Sequence, residues 1–272
     1  MIMDQTVVRE STRRSHREQV GRVITAMRKQ IDQPISLRSL ARIGAASPYH
    51  FTRTFRRVTG IPPAQFLSAL RLDLARQLLL HSSRKVIDIC YDVGFNSVGS
   101  FTRRFTQAFG VAPGAFRAMS QVGVQPLSMS GEPLSDPATN GAGHTVSGHV
   151  TKPADFNGVV CVGLFSTPIP QSKPVACTVA AEDGQFDLCD VPEGRWFLFA
   201  LGLQFPILPH ECFYQETVLR GGGQVVDVSA RQVCGSTELF LRPALATDPP
   251  ILLFLPDLTG IAAIARDRRD RA

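Results

Sequence analysis

The feature that most constrains this chain is an internal repeat: residues 44–66 recur at 94–116 with an offset of 50 and no gap. Gly44, Ser47, Phe51, Thr52, Arg53, Phe55, Gly60, Pro63 and Phe66 return as Gly94, Ser97, Phe101, Thr102, Arg103, Phe105, Gly110, Pro113 and Phe116. Apolar character is kept at Leu37/Ile87, Leu40/Cys90, Ile43/Val93 and Ile61/Val111. Each copy reads as a short helix, a tight turn at a glycine, a longer helix, a glycine stop and a proline restart. Two copies fall short of the three or so that a solenoid needs to bury a continuous core. A pair of helix-turn-helix motifs joined by a rigid helix from about residue 63 to 81 is therefore expected.

The flanking residues extend this reading. Val20, Val23, Ile24, Met27 and Ile31 recur at helical spacing and predict an amphipathic helix ending before Pro34. Ser36 is placed to cap the next helix, and Ser47-Pro48 sets a capping hydroxyl before a proline at the first helical position. Beyond residue 120 the pattern changes. Residues 119–143 are rich in Gly, Ser and Pro and read as a linker. Seven short runs follow, at 146–150, 159–165, 175–179, 185–188, 196–201, 225–228 and 238–241. They are separated by Gly, Pro and Asp, which predicts a β-sandwich of about seven strands. Gly221-Gly222-Gly223 is expected to be a hairpin turn. Residues 251–255 could add one more strand, and the last dozen residues read as a frayed Arg-rich helix. The fold class is thus multidomain, all-α plus all-β: a helix-turn-helix domain at 15–118, the linker, a sandwich at 144–245, and a terminal strand or tail at 246–272.

Charge divides along the same line. Residues 1–120 hold 19 Lys+Arg against 7 Asp+Glu, a net of +12, while residues 121–272 hold 10 against 16, a net of −6. A basic half joined to an acidic half points to a polyanion-binding module and a companion that stays off the polyanion. The N-terminal segment, with Arg9, Arg13, Arg14, Arg17 and Arg22, has no apolar stretch of the kind a secretion signal carries. The longest greasy run, 251–265, is broken by Pro256 and Asp257 and falls short of the roughly 20 residues of a membrane span. Both observations predict a cytoplasmic chain that does not enter a membrane, and none of its six cysteines forms a C-x-x-C pair.

Binding to double-stranded DNA requires phosphate neutralisation and a helix that presents donors to the major groove. Both longer helices of the repeat offer such donors around an apolar face. In the first copy they are Ser47, Tyr49, His50, Thr52, Arg53, Arg56 and Arg57 beside Phe51 and Phe55. In the second they are Ser97, Ser100, Thr102, Arg103 and Arg104 beside Phe101 and Phe105. The alternative, a solvated basic helix face, does not account for the duplication. On one duplex, two such helices joined by a stiff connector are expected to enter successive major grooves, roughly 34 Å apart.

These residues resemble a known family. Ser36-Leu37, Leu40-Ala41 and residues 47–60, then Ile89-Cys90-Tyr91-Asp92-Val93-Gly94-Phe95 with Ser97, Phe101, Arg103, Phe105, Gly110 and Pro113, are similar to the motifs of the AraC/XylS-type transcriptional regulators. The resemblance covers about 100 residues, near 18–118. It implies a seven-helix double helix-turn-helix domain that binds promoter DNA, usually to activate transcription with RNA polymerase as partner. By motif position it makes Tyr49, Thr52 and Arg53 base-facing in the first copy, and Val98, Gly99, Ser100 and Arg103 in the second. Many members carry long polar side chains where Val98 and Gly99 stand, which leaves Ser100 and Arg103 most of the reading in that helix.

The acidic half resembles the transthyretin-like, carboxypeptidase regulatory-type sandwich, carried by Gly184-Gln185-Phe186 through Val191-Pro192-Glu193-Gly194 to Trp196. Such domains bind proteins or carbohydrates. Two readings stay open for it: a sensor holding a small-molecule effector between its sheets, or a protein-interaction module that makes a homodimer. Cys161, Cys177, Cys189, Cys212 and Cys234 read as small buried apolar residues, and His210-Glu211-Cys212 is the one close cluster of metal-ligating types. No metal, cofactor or catalytic constellation is expected, and the chain is not read as an enzyme.

Overall fold

The computed structural model describes residues 2–122, 143–204, 218–229 and 232–253. The chain divides into two compact units, one built from helices and one from strands. The helical unit runs α1 (Ile2–Lys29), α2 (Leu37–Ile43), α3 (Pro48–Thr59), α4 (Pro63–His81), α5 (Val86–Asp92), α6 (Val98–Phe109) and α7 (Pro113–Val122). Its caps follow from sequence chemistry. The Ser36 hydroxyl accepts from the Ser39 amide at 3.1 Å, and Gly60 closes α3 in the left-handed region at φ 81°. α7 runs to Val122, across the first residues read as linker; positions 123–142 lie outside the described residues.

Each repeat is held by an aromatic triad. Phe51, Phe55 and Phe66 pack edge-on with ring centroids 5.5 and 5.4 Å apart; in the second copy Phe101 and Phe105 are tilted at 5.7 Å and Phe105 and Phe116 edge-on at 5.5 Å. All six are fully buried. Pro63 and Pro113 restart the chain so that Phe66 and Phe116 return onto the preceding helix. Val20, Val23, Ile24 and Met27 of α1 supply the stripe that covers the first copy. Arg76, buried on α4, is neutralised by Asp73 at 2.8 Å, without which the charge would be costly to bury.

The register of the repeat is not uniform. The α3 and α6 helices match at an offset of 50, but α2 and α5, with their turns, match at 49. The amide of Ala46 donates to the Ala41 carbonyl as that of Phe95 does to Cys90, and the left-handed residue is Ala45 (φ 48°) in one turn and Gly94 (φ 87°) in the other. The buried positions are Leu40, Ala41 and Gly44 against Ile89, Cys90 and Val93. The expected pairings Leu37/Ile87, Leu40/Cys90 and Ile43/Val93 are therefore out by one residue. Gly44 does not match Gly94 either: its φ is −77°, and a Cβ there would meet Phe51 Cδ2 at 3.1 Å. One glycine makes room for a ring while the other makes a turn. The second turn is longer by one residue, Asn96.

The second unit contains β1 (His144–Thr151), β2 (Gly158–Phe165), β3 (Ala176–Val179), β4 (Gln185–Val191), β5 (Gly194–Gln204), β6 (Leu219–Ser229), β7 (Gln232–Cys234) and β8 (Glu238–Phe240). They form a three-stranded sheet, β4-β1-β8, and a five-stranded sheet, β3-β2-β5-β6-β7. Among the described residues there are eight strands against the expected seven or so, the addition being β7, which at three residues is too short to show alternation. Val146, Val150, Phe186 and Leu188 from one sheet share an apolar core with Val160, Val162, Leu198 and Val226 from the other. The second face of β2 and β5 buries Val159, Cys161, Leu201 and Leu203 with Ile251 and Leu253. β2 is consequently apolar on both faces, which explains its unbroken Val/Leu run. Leu252 makes only an isolated parallel bridge with Gln171; the expected terminal helix lies outside the described residues.

The triple glycine is a correction. Gly221, Gly222 and Gly223 lie within β6, paired with β5, where the register shifts between Leu198 and Phe199. Gly222 and Gly223 take φ of 104° and 94°, and a Cβ on Gly222 would collide with the Leu198 carbonyl. They form a bulge pressed against the neighbouring strand, not a hairpin turn.

Candidate nucleic-acid interface

The α3 helix starts at Ser47, whose hydroxyl accepts from the His50 amide at 3.4 Å, and α6 starts likewise at Ser97, which accepts from the Ser100 amide at 3.3 Å. Phe51, Thr54, Phe55 and Thr59 face the core of the first repeat. That leaves Tyr49, Thr52, Arg53 and Arg56 in one stripe at helical spacing on the opposite side. Tyr49 is 79% exposed, Arg53 and Arg56 are exposed, and Thr52 is half-buried with its hydroxyl on the Pro48 carbonyl. On α6 the corresponding stripe is Gly99, half-buried Thr102 and exposed Arg103. An exposed tyrosine carrying both an apolar ring and a hydroxyl, at the first turn of a capped helix, has no role in packing.

The remaining predicted residues lie on the flanks. Arg57 hydrogen-bonds His16 Nδ1 of α1 at 2.9 Å, and the His16 ring lies 6.4 Å from His50. Burial, then the charge of Arg57, then His50 hold the His16 imidazole below its ordinary pKa. His50 also lies 3.5 Å from the Thr54 hydroxyl. On α6, Arg104 donates to Ser68 of α4 at 3.1 Å, and Ser100 shares a 2.9 Å hydrogen bond with Ser97. Of the twelve predicted residues, Tyr49, Thr52, Arg53, Arg56, Thr102 and Arg103 share the outward stripes. Ser47 and Ser97 cap; His50, Arg57, Ser100 and Arg104 brace the helices.

The electrostatics favour an anion. No Asp or Glu occurs in residues 33–72 or 93–131, and these stretches contain both helices and their turns. The N-termini of α3 and α6 accordingly keep their positive dipole ends free of acidic side chains. Sequence reading missed Arg71, whose Nε and one Nη donate to the carbonyls of Ile31 and Gln33 at 2.9 and 2.7 Å. Burial lowers its pKa and Asp32 partly offsets this. The contacts span 40 residues of sequence, so no local pattern announces them. The acid-free stretches, by contrast, were there to be read.

Among the described residues no group of three or more His, Cys, Asp or Glu could hold a metal, and no helix is long and apolar enough to cross a membrane. Burial pushes the Cys90 thiol up, away from reactivity. The cluster at His210-Glu211-Cys212 lies outside the described residues.

Residues 40–119 match the family described as "Helix-turn-helix domain". The chain is 35% identical over 98 residues to the RCS-specific HTH-type transcriptional activator RclR of Escherichia coli, covering 36% of this chain and 34% of that protein. It is 32% identical over 94 residues to the bifunctional transcriptional activator/DNA repair enzyme AdaA of Bacillus subtilis, covering 35% and 44%. The chain thus spans less than half the length of these curated relatives. A solved regulator from Chromobacterium violaceum, titled as having an AraC-type DNA-binding domain, aligns at 27% identity and a TM-score of 0.37, over 38% of this chain and 92% of that one.

Proposed function

We propose, from the match of residues 40–119 to a helix-turn-helix family and their similarity to transcriptional activators, that this chain is a sequence-specific DNA-binding regulator of transcription of the AraC type. The observation that carries the reading is the pair of outward stripes, Tyr49-Thr52-Arg53-Arg56 and Gly99-Thr102-Arg103, each on a capped helix in an acid-free stretch. Lys and Arg contacts to phosphate supply affinity and its salt dependence, while base-edge contacts supply sequence choice. Arg53 and Arg103 are the residues with the planar donor pair that suits guanine. The first helix presents the larger set of side chains, since Gly99 stands where Tyr49 does, and so reads more of the operator. Two helices in successive major grooves let one chain span both. RclR and AdaA are both named as transcriptional activators. That supports activation, for which RNA polymerase is the partner we propose.

Selection from a random duplex library with the full chain, followed by electrophoretic shifts across salt, tests this. One enriched sequence should bind well above its scrambled form. Arg53→Ala should weaken the selected duplex by about 1–3 kcal/mol and relax one base position. No enrichment, or equal binding of the scrambled duplex, overturns the reading.

A further inference from the structure

Between the two repeats of the helical unit lies a cleft of about 510 Å³, within the size range of small-molecule sites. Part of its lining is apolar, made by Leu37 and Leu40 of α2, Leu67 of α4 and Phe95 of the second turn. The polar part of the lining is Thr52, Arg71, Asn96, the residue that lengthens the second turn, Ser100, Arg103 and Arg104. No carboxylate lines it. Two of its three guanidinium groups are fixed in place, Arg71 by the carbonyls of Ile31 and Gln33 and Arg104 by Ser68. Arg103 is exposed and extends over the same cleft.

A lining of this kind selects its ligand by two properties together. Three guanidinium groups in a lining that holds no carboxylate favour an anion, although Asp32 acts on Arg71 from outside it, and the planar fork of arginine matches a carboxylate. The three leucines that line the same cleft have nothing to offer a bare phosphate or a solvated DNA backbone, but shield an aromatic or aliphatic body from water. We propose that this cleft is an effector site for a small apolar monocarboxylate, whose carboxylate engages Arg103 and whose body lies against Leu37, Leu67 and Phe95. Occupancy draws Arg103 and Thr52 into the cleft and away from the outward stripes. Ligand and DNA then exclude one another, a consequence that rests on the proposed function, whereas ligand binding itself does not.

The test uses the full chain and 2-naphthoate as probe, followed by calorimetry without DNA. Saturable binding is expected, at least fivefold weaker in Arg103→Ala and at least threefold weaker in Leu37→Ser, two changes at exposed positions whose folding is checked by circular dichroism. The neutral 2-naphthamide should bind at least tenfold more weakly, and inorganic phosphate at equal concentration should not displace the probe. Absence of saturable binding, equal binding of the amide, or an unchanged Arg103→Ala overturns the proposal. Displacement by phosphate also overturns it, and makes the cleft a seat for the DNA backbone. With the selected duplex present, naphthoate should raise the apparent DNA Kd at least threefold; if naphthoate binds and the DNA Kd stays put, mutual exclusion is refuted while the site stands.

Discussion

The first and second repeats carry the same aromatic triad and different turns. From α3 and α6 onward they superimpose in sequence at an offset of 50, because Phe51, Phe55 and Phe66 must meet one another as Phe101, Phe105 and Phe116 do. The preceding helices are set instead by Leu40-Ala41-Gly44 and Ile89-Cys90-Val93, one residue out of step. The first turn closes on Ala45 in the left-handed region, the second on Gly94 with Asn96 added. Close packing preserves a constellation of rings, while the connection adapts by a residue. The flanking braces diverge too: α3 is held to α1 by Arg57 on a histidine, α6 to α4 by Arg104 on a serine.

The strongest probe of the shared part is truncation of the triads. Phe55→Ala and Phe105→Ala should each cost about 3–5 kcal/mol in denaturant unfolding. A cost at one site less than half that at the other breaks the equivalence of the two cores. The turns come next. Gly94→Ala places a side chain in the left-handed region, about 1–3 kcal/mol, and its Cβ would stand 2.5 Å from the Ile31 carbonyl. Gly44→Ala asks only that the Phe51 ring yield slightly, so its loss should be the smaller; the reverse order would refute the assignment of roles. The braces give the smallest effect. His16 is held below its ordinary pKa in the folded chain, so the unfolded chain binds the proton first and stability falls as pH drops through about 6.5. At a half-exposed site the change is less than about 1 kcal/mol. It should vanish in His16→Ser, which copies the brace of the second repeat, and persist in Ser68→Ala.

Much of the helical unit was legible because its signals are local. Ser36, Ser47 and Ser97 cap, Pro63 and Pro113 restart, and the phenylalanines fall at helical spacing. The strands of the acidic half showed themselves where one face is buried, as in Gln185-Phe186-Asp187-Leu188, whose alternation matches Phe186 and Leu188 in the shared core. The reading failed at Gly221-Gly222-Gly223 because three glycines signal freedom from Cβ without saying whether a turn or a neighbouring strand requires it. In β6 the requirement comes from β5, a partner strand about 20 residues away. Of the interface, residue types and stripe positions were readable, but their division into outward and bracing residues was not, since a helix alone does not disclose which flank its neighbours cover.

By itself the sequence determined the duplication and the charge division of +12 against −6, which are read directly from residue identities, and the capped helices and the donors they carry, which are fixed by residues within a few turns of one another. Only the tertiary structure decided the one-residue slip between repeats, the use of Arg57 and Arg104 as braces, and the meeting of Arg71, Arg103 and Leu67 around one cleft. The slip shows only in the backbone bonds of the two turns, and the braces and the cleft depend on contacts tens of residues apart, where packing density and the need to pair buried polar groups select among arrangements that local chemistry leaves equal.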